Sequence, residues 1–380
     1  MITFKDKLDN LIKEGSSFSD EEITFLEKEY ENCIKSSNSY TYFKRSLETK
    51  IKTLMKKSSS IYHLSFLIGT QNKKYIYSED PTNTLYDIAS VTKLFTLALF
   101  CLLEKKGIIS YEDKIIDTLP LQESMKDITV LDLLKMKGRI ETDEKLSDMQ
   151  TVEQFMHCLY TVHPVETDEK GAYTDIGFTL LRFYVEKKIL EKTGKKKRYD
   201  VIMDEYLLKP FGLYHTMYQP DPSKYILLGN GNQEGKCNDK KTRVIDSING
   251  AAGLFSTVQD MYYFMKQVLE YKIFSPSFIK SIFSYSFLDS SKRVRSYAGL
   301  YLPCTNINNA AKYYSQFTVV HQGYTGSLAV GDFKNHICNS ILLNAMKEGK
   351  FEKGKSFLEE FRRIYKYISL YSVLFYILYE

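Results

Sequence analysis

Ser90-Val91-Thr92-Lys93 places an amine one helical turn from a serine hydroxyl. Residues three apart on a helix share a face, so Lys93 Nζ can approach Ser90 Oγ. A serine hydroxyl is a weak nucleophile until a neighbouring base takes its proton. Backbone N–H groups and the dipole at a helix start favour developing negative charge there. The chemistry open to this pair is acyl transfer through an ester on Ser90. Ser277-Phe278-Ile279-Lys280 repeats the spacing and is read as chance. Ser90 differs because Val91, Leu94, Phe95, Leu97, Ala98, Leu99, Leu102 and Leu103 follow it, predicting a helix over 90–106 that is apolar nearly all round and buried. Burial is expected to push the Lys93 pKa down from its usual value of about 10.4.

Two further groupings carry reactive side chains. Tyr173-Thr174-Asp175 follows Gly171-Ala172, where a tyrosine packed at a helix start is the plain reading. His321-Gln322-Gly323 closes an apolar strand over 317–320, the plain reading being a strand-to-turn histidine. Gly323 would let a ligand approach the backbone closely. Cys33, Cys101, Cys158, Cys237, Cys304 and Cys338 are never closer than 34 residues, so no metal-binding pair arises. They read as reduced, mostly buried thiols in a reducing compartment. No H-E-x-x-H occurs either.

The elements that must position these groups follow from periodicity. Residues 1–57 read as three charged helices, the second opened by Ser19-Asp20-Glu21-Glu22 as a capping box, and Ser58 to Ser60 as a break. Strands are expected over 61–70 and 73–77. Short helices and loops fill about 110–240, clearest over 128–136 and 178–193. Strands return over 317–320, 327–333 and 337–344, with helices over 256–269 and from 357 onward. The plan is an α+β fold: one sheet built from both ends, flanked by helices, with an inserted helical subdomain. The units are an N-terminal helical extension over 1–57, a catalytic domain over 58–365 and an apolar tail over 366–380.

Charge and targeting narrow the partners. Lys plus Arg number 52 against 47 Asp plus Glu, a net +5 too small for a chain of 380 residues to suggest nucleic acid. The charged first ten residues lack an apolar secretory core, so a cytoplasmic location is expected. Ile368 and Tyr379 bound an uncharged run of 12 residues, too short to span a bilayer. It is expected to pack as a C-terminal helix, the alternative being contact with a membrane surface or a second copy.

Together the three motifs resemble the serine β-lactamase and penicillin-binding protein superfamily. They are most similar to its class C β-lactamase, DD-peptidase and esterase branch, which has Tyr-x-Asn and often His-x-Gly as second and third motifs. The order Ser90, Tyr173, His321 and the intervals of 83 and 148 residues match. Ile128-Thr129-Val130-Leu131-Asp132-Leu133-Leu134, Pro210-Phe211-Gly212-Leu213 and Ala252-Gly253-Leu254-Phe255-Ser256-Thr257 resemble other family segments, and the likeness covers about residues 60–346. It implies the β-lactamase/transpeptidase-like fold and a serine acyl hydrolase acting on a small acyl substrate without metal or organic cofactor. Ser90 would be acylated, Lys93 and Tyr173 would share the proton work, and His321 would stabilise substrate charge or a phenolate. The N–H groups of Ser90 and Tyr324 would hold the oxyanion. Asp175, Gln322 and Gly323 would meet the substrate.

Three residues depart from the pattern. Asp175 stands where the family has Asn, and an ionised carboxylate only accepts hydrogen bonds. It is expected to hold Lys93 and to repel acidic substrates. His321 replaces the Lys of β-lactamases, and Gln322 a carboxylate-binding Thr. These changes favour ester or D-amino-acid peptide hydrolysis over β-lactam turnover. The alternatives are a penicillin-binding DD-carboxypeptidase or β-lactamase, and a non-catalytic binding or regulatory protein of the same fold.

Overall fold

A computed structural model describes residues 3–59, 61–229, 235–303, 311–344, 346–347, 350–351 and 355–380. Met1, Ile2, Ser60 and Cys304 lie outside the described residues. The centre is an antiparallel sheet of β1 (His63–Gly69), β2 (Lys74–Ser78), β3 (Thr318–Gln322), β4 (Leu328–Asp332) and β5 (Ile337–Asn344). Its order is β3-β4-β5-β1-β2. β1 pairs with β5 along its full length, from His63 opposite Asn344 to Gly69 opposite Cys338. Residues from the two ends of the catalytic region thus share one sheet, as the β-lactamase-like plan requires.

Around the sheet lie α1 (Phe4–Lys13), α2 (Asp20–Lys35), α3 (Ser39–Lys57), α4 (Thr92–Lys105), α5 (Ile176–Thr193), α6 (Lys240–Val244), α7 (Val258–Leu269) and α8 (Lys355–Tyr379). Both faces of the sheet are covered, so its inner strands read as continuous apolar runs. Successive side chains alternate between two cores. Leu67, Cys338 and Leu342 face the cluster built on α4 and α7, where Phe95 stacks on Phe264 at 4.1 Å. Leu64, Phe66, Ile68, Ile341 and Leu343 face the cluster built on α8 and the N-terminal helices.

That second cluster bears out the packed C-terminal helix expected of the tail and shows what covers it. Ile368, Val373, Leu374 and Phe375 are fully buried. They lie between the sheet and α1–α3, with Phe43 of α3 against Tyr371 at 5.7 Å and Phe375 at 5.2 Å. Lys7 Nζ donates to the Ile377 carbonyl at 2.9 Å, and the Ser46 and Tyr371 hydroxyls pair at 2.8 Å. The N-terminal helices therefore cover most of the run within the chain, with Tyr376, Leu378 and Tyr379 half-buried. No helix among the described residues is long and apolar enough to cross a membrane.

The segment over 110–240 is less purely helical than its sequence suggests. Arg139–Glu141 pairs with His163–Val165, while Met217–Tyr218 and Ile226–Leu228 join Leu254–Ser256 and Thr84–Asp87 in a second sheet. Strands of two or three residues are too short to show a period of two. Cys33, Cys101, Cys158, Cys237 and Cys338 are buried free thiols.

Candidate active site

The strand Thr84–Asp87 ends at the turn that carries Ser90. Ala89–Val91 forms a 3₁₀ turn, and α4 begins only at Thr92. Ser90 therefore precedes the buried helix rather than opening it. Ala89 holds φ at +47°, a left-handed conformation costly for a residue with a Cβ. Asp87 stabilises it by accepting the Ala89 N–H at 2.8 Å. The other carboxylate oxygen accepts the Asn238 N–H at 2.6 Å, and the Asp87 carbonyl accepts the Thr325 hydroxyl at 2.6 Å. One buried residue so ties together the Ser90 turn, the approach to α6 and the β3–β4 turn. Burial pushes its carboxyl up to about 7, against the pull of the two N–H donors.

Lys93 is fully buried, and its Nζ reaches three acceptors. Ser90 Oγ lies at 3.1 Å, the Ala251 carbonyl at 3.0 Å and Asp175 Oδ1 at 2.7 Å. The i,i+3 approach read from the sequence is present, but the expected downward pKa shift is not. Burial works against the ammonium, yet the Asp175 carboxylate and then Tyr173 outweigh it and hold Lys93 above the ordinary lysine value. A buried amine with a carboxylate at contact distance keeps its proton.

Asp175 ends the loop before α5, and both its oxygens are taken. Lys93 holds Oδ1, and Lys241 of α6 holds Oδ2. Burial opposes its charge, but the two lysines keep its carboxyl far below the usual range. Asp175 therefore presents no unpaired charge to repel an acidic substrate, which corrects the sequence expectation. Lys241 escaped the sequence reading. The signal for it was indirect: an acceptor-only residue at an amide position calls for a second cation.

Tyr173 is half-buried, its ring centroid 5.2 Å from Lys93 Nζ. The Arg295 guanidinium lies 4.2 Å from that centroid. Arg295 is itself fixed by Asp289 at 2.6 Å, the Gly299 carbonyl at 2.8 Å and the Tyr301 hydroxyl at 2.6 Å. Gly299, at φ +75°, has the Tyr173 ring where a Cβ would sit. No motif pointed to Arg295 or Gly299, because their relation to Tyr173 is purely spatial.

His321 on β3 is buried, and its Nε2–H donates to the Ala298 carbonyl at 2.9 Å. A carbonyl only accepts, so the proton sits on Nε2 and Nδ1 is a bare acceptor. Nδ1 has no hydrogen-bond partner among the described residues. Burial, then the Lys93 charge, lowers the pKa to about 3, so the ring is neutral. It has neither charge nor a spare proton with which to stabilise an anionic substrate, contrary to expectation. Gly323 meets the Ile88 carbonyl where its Cβ would be. The close approach is thus to the protein's own Ile88–Ser90 turn, not to a ligand, and it sets the backbone of 323–324 beside that turn. Gln322 is half-buried and the Tyr324 side chain is 58% exposed.

A cavity of 540 Å³ opens beside Thr174, Asp175 and Lys241, with Glu141, Asp143 and Glu144 on its rim. A larger one of 790 Å³ lies elsewhere and includes Ser277. Ser277 Oγ pairs with Ser275 Oγ at 2.9 Å rather than with Lys280, so the second S-x-x-K holds no serine–lysine pair. Among the described residues no three His, Cys, Asp or Glu side chains converge to hold a metal.

The β-lactamase family model matches residues 68–360. The chain belongs to the β-lactamase family. An N-acetylmuramyl-L-alanine amidase of Bacillus subtilis is 29% identical over 229 residues, 50% of each chain. A teichoic acid D-alanine hydrolase of Staphylococcus aureus is 26% identical over 198 residues, 51% of this chain and 48% of that one. The chain thus spans about half the length of these curated relatives. The D-amino acid amidase of Ochrobactrum anthropi SV3, solved with L-phenylalanine amide, superposes with a TM-score of 0.64 at 16% identity, over 86% of this chain and 98% of that one. A class C β-lactamase solved with cefoxitin gives 0.64 at 15% identity, over 85% and 98%. At such identities the superpositions establish the β-lactamase/transpeptidase-like fold.

Proposed function

We propose that the chain is a serine acyl hydrolase in which Ser90 is transiently acylated. The observation that carries this reading is the contact between Lys93 Nζ and Ser90 Oγ at 3.1 Å, on an amine anchored to Asp175. Ser90 Oγ attacks the carbonyl carbon of the acyl donor as its proton passes into the Lys93–Tyr173 pair. The oxyanion is held by the N–H groups of Ser90 and Tyr324. The leaving group departs with that proton, and water then cleaves the Ser90 ester by the same route. Arg295 and Lys93 lie 4.2 Å and 5.2 Å from the Tyr173 ring centroid and hold the ring beside the Ser90–Lys93 contact. The substrate class is an ester, a D-amino-acid amide or peptide, or a β-lactam-like ring. The relatives named as D-alanine hydrolase and D-amino acid amidase support the D-aminoacyl choice.

The test is intact-mass measurement after a fluorophosphonate probe and, separately, after penicillin. Addition of one probe mass that Ser90→Ala abolishes and Ser277→Ala retains supports the reading. Labelling by penicillin as well moves the substrate toward the penicillin-binding enzymes. One observation favours a second reading: Asp175 holds Lys93 as an ammonium, which suits a fold that binds an acyl ligand without turning it over. Labelling by neither reagent selects that alternative.

A further inference from the structure

Lys241 lies in none of the three motifs, yet it completes the charge arrangement around Lys93. α6 is capped by Asp239, whose side chain accepts the Thr242 N–H at 2.9 Å. That cap fixes the short helix and aims Lys241 at Asp175, with Asp239 itself 3.7 Å from Lys241 Nζ. The carboxylate then lies between two ammonium groups, Lys93 on Oδ1 and Lys241 on Oδ2. A neutral amide would contribute no charge at this position. The Asp175–Lys241 pair also sums to zero, so together they stand in electrostatically for an amide. They leave Lys93 with the same net surroundings that an amide would.

We propose that Lys241 is a positioning residue for acylation, which holds Asp175 away from full neutralisation of Lys93 and so keeps the Lys93–Tyr173 pair able to take the Ser90 proton. The inference rests on the acyl-hydrolase reading above. The groups facing the pair are Asp175 and Tyr173 before α5, Lys241 and Asp239 from α6, Arg295 near the Tyr173 ring, and neutral His321 from β3. Without Lys241, Asp175 would pair with Lys93 alone, and Lys93 would give up its proton less readily.

The net charge of Lys93, Asp175 and Lys241 orders the variants. It is +1 in the natural protein, 0 in Lys241→Met, +2 in Asp175→Asn and +1 again in the double variant. The experiment follows the rate of Ser90 labelling by a fluorophosphonate, read by intact mass, from about pH 5 to pH 10, with thermal melts to show that each variant is folded. An opposite or like charge at such distances moves a pKa by about 1 unit or more. Lys241→Met is therefore expected to move the acid limb upward by about 1 pH unit, a loss of roughly tenfold near neutrality. Asp175→Asn is expected to move it downward, and Asp175→Asn/Lys241→Met to bring it back toward the natural position. A structural role would lower the rate at every pH without moving the limb.

An unmoved limb in folded Lys241→Met, or a double variant whose limb stays with that of Lys241→Met, overturns the inference while leaving Ser90 as nucleophile. If Lys241→Met does not fold, Asp175→Asn decides: a limb that stays or rises overturns it. If the natural protein is not labelled at Ser90, the acyl-hydrolase reading and this inference fall together.

Discussion

Cutting the chain after Lys366 removes the part of α8 that fills the core between the sheet and α1–α3. The residues lost include Ile368, Leu370, Tyr371, Val373, Leu374, Phe375 and Ile377, none more than 3% exposed. Burial of a large apolar side chain contributes about 1.5–3 kcal/mol, so the loss is on the order of 10–20 kcal/mol. Residual burial in the unfolded chain trims that by roughly 10–40%. What remains still rivals a typical net stability of about 5–15 kcal/mol. The truncated chain is therefore expected not to fold, and Ser90 labelling to vanish with it. Phe375→Ala is the graded version. It leaves a cavity against Phe43 and costs about 3–5 kcal/mol, lowering Tm by about 4–6 °C. Below its melt this variant should keep Ser90 reactivity, because α8 and the helix after Ser90 pack in different clusters on opposite faces of the sheet. Thermal melts and size-exclusion chromatography of the natural, truncated and Phe375→Ala proteins decide. A truncated chain that is monomeric and melts within a few degrees of the natural protein would refute the reasoning.

Glu22 is held by Lys366 at 2.8 Å, Lys312 at 3.0 Å, the Tyr313 hydroxyl at 2.9 Å and the Ser19 N–H. Burial opposes its charge, but these partners lower its carboxyl to about 2. A depressed carboxylate adds stability above its unfolded pKa and loses it as pH falls through the folded one. Glu22→Gln should therefore cost about 2 kcal/mol at pH 7, and the gap should narrow in urea titrations toward about pH 3. Asp87 has the opposite sign. Its raised carboxyl favours the folded state below the unfolded pKa, and that contribution fades as pH rises toward about 7. The stability of the natural protein relative to Asp87→Asn should fall between pH 4 and 7, and a constant difference would remove Asp87 as the titrating group. Lys93→Ala and Tyr173→Phe should combine non-additively in a kinetic cycle, the double variant little worse than the poorer single one. Strictly multiplicative losses would separate the two residues.

Long periodic segments were legible in the sequence. The buried helix after Ser90, the capping box at Ser19 and the strand over 337–344 all appear where residue spacing puts them. Each is long enough for a period of 3.6 or 2, or a sharp cap, to stand out. The segment over 110–240 was harder because its strands are two or three residues long and owe their existence to partners far along the chain, such as Ile226–Leu228 beside Thr84–Asp87. The packing of the tail as a helix was legible, but the helices that cover its other side were not. An uncharged run says that it must be covered, but not by what. The cover comes from α1–α3, at the far end of the sequence, through contacts such as Phe43 against Phe375.

At the site, local motifs identified residue types, while their protonation states depended on neighbours that motifs do not contain. The i,i+3 step from Ser90 to Lys93 is local and was legible. Whether burial would strip the Lys93 proton was not, since the answer lies with Asp175, 82 positions downstream, and with Lys241, 66 further on. Desolvation alone lowers a lysine pKa, and one carboxylate in contact reverses the sign. A second lysine on that carboxylate then returns part of the shift. The departure of Asp175 from the family's amide therefore cannot be weighed on its own. Read alone, it predicts a site hostile to acidic substrates. With both of its oxygens bonded to lysines, the same carboxylate is an internal counter-ion, and the charge offered to the 540 Å³ cavity includes Lys241 as well as the acidic rim. Any charge effect on a ligand at this cavity therefore belongs to Asp175 and its two lysines as one cluster, together with Glu141, Asp143 and Glu144.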